Sequence, residues 1–176
     1  MNTRHLLLWA SLALTMPLAA QTPQEDFKRD ITLSGSNYVA YRGPQKQLTP
    51  APKGYKPFYL SHYGRHGSRF MIGKKAYDVP YFSLLKAKQE GKLTAKGEET
   101  LAKVKMIREE AKGRDGELTP LGALQHQGIT KRMMERFPEI FAGKTNIEAR
   151  STLVIRCILS MENGLQQMLR MNPKLH

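Results

Sequence analysis

The run Gly64-Arg65-His66-Gly67-Ser68-Arg69 places one imidazole between two guanidinium groups, within a segment that holds two glycines. Each of these groups suits a phosphoryl ligand. Arginine presents planar, paired donors to phosphate oxygens and does not lose its proton. A neutral imidazole carries a ring lone pair that can attack phosphorus. Glycine lets the backbone approach a ligand closely. The surroundings share the bias, because Ile31 to Tyr77 contains eight Lys or Arg and no Asp or Glu.

Three other readings compete for the same residues. His62 and His66 are four apart, as in a helical metal pair. Gly64 and Gly67 oppose a helix there and no third ligand is evident, so no metal is expected. Gly64-Arg65-His66-Gly67 also fits a G-x-x-G nucleic-acid clamp, although such a loop is not expected directly after a buried strand. The plainest alternative is a solvated basic turn, which composition alone does not separate from a phosphate loop.

The elements around the loop must position it. Phe58-Tyr59-Leu60-Ser61-His62-Tyr63, aromatic-rich and opened by Pro57, predicts a buried strand that runs into the loop. Thr94 is the expected N-cap of a helix whose face carries Leu101, Val104, Ile107 and Ala111 as far as Lys112-Gly113. Thr119 and Pro120 fit the N-cap and first position of another helix. Its expected apolar side is Leu121, Leu124, Gly128, Met133 and Phe137. Asn146 to Ser151 reads as a second short strand. A last helix is expected from Val154, Cys157, Ile158, Met161, Leu165, Met168 and Leu169, ending at Asn172-Pro173. Strands alternating with helices imply an α/β fold, with parallel-type sheet strands flanked by helices.

Composition narrows the class. The 176 residues carry 28 Lys+Arg against 15 Asp+Glu, a formal charge of +13, with 40% hydrophobic residues. That is a globular composition, which excludes a disordered or collagen-like chain. The single cysteine, Cys157, excludes an intrachain disulfide framework and a Cys-rich zinc module, and reads as a core residue. Arg4 precedes an apolar stretch from Leu6 to Ala20 that ends in small residues, the pattern of a secretory signal peptide. The stretch is about 15 residues, shorter than the roughly 20 that span a bilayer. The expected organisation is a signal peptide at 1–20, an irregular opening segment at 21–57 and a domain portion at 58–176, in an exported protein without stable membrane insertion after cleavage. The basic surface lacks the interleaved aromatics of a nucleic-acid binder, so none is expected as a partner.

Three stretches together resemble a known family. Arg65-His66-Gly67-Ser68-Arg69 is similar to the R-H-G-x-R signature of the histidine acid phosphatases, the branch that contains phytases and multiple inositol polyphosphate phosphatases. Leu118-Thr119-Pro120-Leu121-Gly122, followed by Gln125-His126, resembles the family's L-T-x-x-G…Q-H helix start. Arg150-Ser151-Thr152, with Arg156 and Ser160 after it, resembles its R-S-T-x-x-x-R-x-x-x-S segment. The three occur in the family's order, and the resemblance spans Phe58 to Leu169. Phe70-Met71 replace the usual proline after the second signature arginine, and Ile155 stands where an acid often precedes the third pocket arginine.

The resemblance implies phosphomonoester hydrolysis through a phosphohistidine, without cofactor, on an inositol polyphosphate or related organic phosphate. His66 would be the nucleophile. Arg65, Arg69 and Arg156 would clamp the phosphoryl oxygens, with Arg150 a further candidate for substrate contact. It gives His126 and His62 no catalytic role. The family's late His-Asp or His-Ala-Glu segment, which donates a proton to the leaving group, has no counterpart up to His176. The expectation is therefore an N-terminal portion of such a domain, weakly active, or a fragment that holds phosphate or a polyanion without turnover.

Overall fold

The computed structural model describes residues 22–176 apart from Arg42, Gln45 and Leu48. The proposed signal peptide at 1–20 lies outside the described residues. These residues form five α-helices: α1 (Pro23–Arg29), α2 (Lys75–Gln89), α3 (Ala95–Glu110), α4 (Pro120–Arg136) and α5 (Ile155–Met171). A 3-10 helix covers Ile31–Tyr38. The described residues divide into two compact units, one ending at Ala40 and the other covering Tyr41–His176. No described helix is long and apolar enough to cross a membrane.

The expected α/β fold is not what forms. Among the described residues there is no sheet, and the β structure is one isolated antiparallel bridge, Arg69 with Leu118. Both expected strands, Phe58–Tyr63 and Asn146–Ser151, stay outside regular secondary structure. The reason is that a strand is not a local structure. Aromatic and β-branched residues favour a pleated surface only when a neighbouring strand and a covering layer are present. Here Phe58 and Tyr63 stand in solvent, 95% and 101% exposed. Backbone at the start of the 146–151 segment bonds instead to His176: Ile147 N–H donates to the His176 carbonyl at 2.6 Å, and His176 N–H donates to O of Thr145, just before the segment, at 3.1 Å.

In the first unit, the sequence Thr22-Pro23-Gln24-Glu25 starts α1 with a capping box. The Thr22 hydroxyl accepts from Glu25 N–H, and the Glu25 carboxylate accepts from Thr22 N–H. The irregular segment expected at 21–57 thus contains α1 and the 3-10 helix.

The second unit is two helical hairpins. In the first, α2 packs on α3, where Tyr77, Leu101 and Ala111 are buried. Arg108 on α3 donates to Asp78 on α2 at 2.6 Å, and its guanidinium lies 5.0 Å and 5.3 Å from the Tyr81 and Phe82 ring centres. Thr94 caps α3 as its sequence suggested, accepting from Gly97 N–H at 3.2 Å.

In the second hairpin, α4 packs on α5. Thr119 caps α4 and Pro120 takes its first position. The apolar side expected is only partly the buried one: Met133 and Phe137 pack against the core, but Leu121 and Leu124 are exposed, while Gly122, Thr130 and Met134 are buried. Small residues are inside because backbones meet there. A methyl on Gly164 of α5 would lie 3.0 Å from Thr130 Oγ1. Below this contact Met134, Phe141 and Leu175 form the core, with Leu60, Met133, Phe137, Ile140, Ile147 and Met168 packed around them.

Candidate functional site

All three sequence stretches meet at the loop 64–69. The closest approach is between glycines: a β-carbon on Gly67 would lie 2.3 Å from Gly122 O, and one on Gly122 would lie 2.2 Å from Ser68 O. Either would collide with backbone, so the loop and the first turn of α4 each require a residue without a side chain.

Hydrogen bonds then fix the loop's backbone. Ser68 O accepts from both Thr119 N–H and the Thr119 hydroxyl, each at 2.9 Å. Ser68 N–H donates to Gln125 Oε1 at 2.8 Å, which also fixes the orientation of that amide. Gly67 N–H donates to Ser160 Oγ at 3.1 Å, and the same hydroxyl donates to Arg156 O at 2.7 Å. Ser160, on α5, is almost fully buried. The exit of the loop is held too. Phe70 N–H donates to Glu117 O at 2.9 Å, and Met71 N–H donates to the Tyr77 hydroxyl at 2.7 Å.

His66 is half-buried within this frame. Its Nδ1 lies 2.8 Å from Gly67 O. A carbonyl can only accept, so the ring proton is on Nδ1 and the lone pair of the neutral ring is on Nε2. That nitrogen is the one available for attack on an electrophile.

Arg65 and His66 line an open groove of about 1080 Å³ between the arm 57–63, α4, the 145–152 segment and α5. Arg150 lines it as well, exposed and ion-paired with Glu148. His62, His126 and Cys157 are further lining residues, so Cys157 is half-buried at the groove wall rather than in a core. His62 folds over the loop's first residue, its Nε2 lying 2.8 Å from where a β-carbon on Gly64 would be.

Arg69 and Arg156 do not line this groove. Arg69 donates Nη1 to Phe70 O at 2.9 Å, and Arg156 Nη1 lies 3.2 Å from the β-carbon position of Gly116. The Nε atoms of both, and Nε2 of Gln125, are buried without a hydrogen-bond partner. Shielded atoms of this kind cannot meet a ligand, which leaves the Nη atoms of the two arginines for that purpose. Of the four candidate arginines, the structure thus sets Arg65 and Arg150 along the groove with His66, and Arg69 and Arg156 along the backbone pairing of 68–71 with 116–119.

His126 is the residue that sequence reasoning left without a role. Its Nε2–H donates to Arg65 O at 3.1 Å. Burial holds its pKa below the usual imidazole range; the bond to Arg65 opposes this, and nearby His62 and His66 add to it. No group of three His, Cys, Asp or Glu among the described residues is placed to hold a metal ion. In comparison with known proteins, no family model matches the chain and no curated protein matches it.

Proposed function

We propose that the loop 64–69 binds a phosphoryl group and that His66 carries phosphomonoester hydrolysis, on inositol polyphosphates or related organic phosphates, in the manner of the histidine acid phosphatases. The observation that supports this best is the bond from His66 Nδ1–H to Gly67 O, which leaves the Nε2 lone pair on a groove-lining ring. The chemistry is then a double displacement. Nε2 forms a bond to phosphorus as the ester P–O bond breaks, and the departing oxygen leaves with that electron pair and takes up a proton. A water oxygen then bonds to phosphorus, the N–P electrons return to the ring, and the water's proton passes to solvent.

Arg65 is the cation beside His66 at the groove. Arg69 and Arg156 lie outside the groove as it stands, so they join the clamp only if both side chains swing their Nη atoms into it, which for Arg69 gives up the bond to Phe70 O and for Arg156 means leaving its place beside Gly116. Arg150 contacts substrate only if it parts from Glu148. The apolar leader at 1–20 supports placing the reaction outside the cytoplasm, in a periplasmic or secreted protein.

One observation favours a second reading, binding without turnover. The carboxylates that line the groove are Glu139 and Glu148, and Glu148 is paired with Arg150. General acid catalysis contributes about 10²–10⁴-fold, so poor proton donation slows alkyl phosphates far more than nitrophenyl phosphate.

The full chain incubated with nitrophenyl phosphate and with inositol hexakisphosphate separates the two readings. Phosphate release that His66→Ala abolishes supports the enzyme. Saturable binding without release supports the binding reading, and neither release nor binding overturns both. Salt-sensitive oligonucleotide binding that survives His66→Ala and Arg69→Ala would replace them with a nucleic-acid binder.

A further inference from the structure

Two consecutive side chains of α4 grip the loop on either side of the His66–Gly67 peptide. Gln125 accepts from Ser68 N–H at 2.8 Å, and His126 donates Nε2–H to Arg65 O at 3.1 Å. The carbonyl that His126 holds belongs to the peptide joining Arg65 to His66. Holding that plane restrains the torsions that adjoin it, ψ of Arg65 and φ of His66, and with them the directions in which the two Cα–Cβ bonds leave the main chain. His126 is half-buried and lines the same groove, so it reaches the loop from the ligand's side. Burial and the neighbouring His62 and His66 favour its neutral ring, and the bond to a carbonyl selects the Nε2–H tautomer.

We propose that His126 is a positioning residue, whose bond to the Arg65 carbonyl aligns Arg65 and His66 for one phosphoryl group. The inference rests on the reading that this loop takes phosphate. It adds a residue to which the motif resemblance gives no catalytic role.

Two measurements on the full chain test it. Long-range ¹H–¹⁵N spectra of the His126 ring are expected to show the neutral Nε2–H tautomer; an Nδ1–H tautomer overturns the proposal. Inorganic phosphate is then titrated into the unaltered chain, His126→Ala and His126→Gln, following the amide signals of Gly67 and Ser68. The alanine variant is expected to bind phosphate about tenfold more weakly, in keeping with the loss of one hydrogen bond. Glutamine, which retains an N–H donor, is expected to recover most of that loss. An alanine variant that binds as the unaltered chain does, or a glutamine variant no better than alanine, overturns the positioning role alone. No phosphate binding by the unaltered chain overturns the phosphate reading and the positioning role together.

Discussion

The loop Gly64–Arg69 and the arm Pro57–Tyr63 are continuous in the chain and differ in almost every physical respect. In the loop, Arg65 O, Gly67 N–H, Ser68 N–H and Ser68 O all have partners on or next to α4 and α5, and Gly67 touches Gly122 backbone to backbone. In the arm, Leu60 reaches the core, while Phe58, Tyr59 and Tyr63 present their rings to solvent. Local precision at the site therefore comes from two helices and not from a sheet beneath it. Apolar residues do not order a segment by themselves; a neighbour must be there to bury them.

The sharpest way to break this contrast is to add one carbon. Gly67→Ala drives its methyl into Gly122 backbone, and is expected to cost about 3 kcal/mol or more in urea unfolding. Gly73→Ala, where nothing lies within 4 Å, is expected to stay within about 0.5 kcal/mol. Equal effects at the two sites would mean that the loop is not seated on α4.

Ser160→Ala removes the acceptor of Gly67 N–H and is expected to cost about 2 kcal/mol, through a donor left without a partner. The same unfolding experiment checks it, and a neutral result would remove α5 from the account of the loop.

A pH series gives a smaller effect with a definite sign. The folded chain holds His126 below the usual imidazole range, so in the window below that range the unfolded chain binds more protons. Stability is then fully present above the ordinary imidazole range and falls as pH drops through the folded value. His126→Gln is expected to flatten that part of the unfolding profile, and an unchanged slope would contradict the burial seen here.

The arm gives the smallest effect. Phe58→Ser or Tyr63→Ser is expected to change stability by less than about 0.5 kcal/mol, while reducing the binding of an apolar fluorescent dye. A cost of several kcal/mol in the monomer would show that the arm is packed and the contrast false.

What the sequence disclosed follows the same division. Caps are local chemistry, so Thr94, Thr119 and Pro120 identified helix starts that the structure contains. The loop glycines were expected to admit a ligand, whereas Gly67 admits the backbone of Gly122. Sheet formation is non-local, and the aromatic run at 58–63 could not reveal that no strand lies beside it among the described residues. Helix α2 is hard to read from the sequence because Pro80 lies inside it, past the first turn where proline is normally tolerated. Apolar periodicity found the end of the buried face of α4, Met133 and Phe137, but not its start, where it favours Leu121 and Leu124 and close backbone contact selects Gly122 and Thr130. His126 and Ser160 touch the loop from 61 and 93 residues away, contacts that spacing along the chain does not encode.

The central claim is a His66 ring with its proton on Nδ1 and its Nε2 open to phosphorus. The most direct measurement is mass spectrometry of the chain after exposure to nitrophenyl phosphate and quenching in alkali, which preserves a phosphohistidine. The account predicts an acid-labile phosphoryl group on His66 that His66→Ala eliminates. A phosphoryl group on any other residue, or none on a chain that nonetheless releases phosphate, would contradict it.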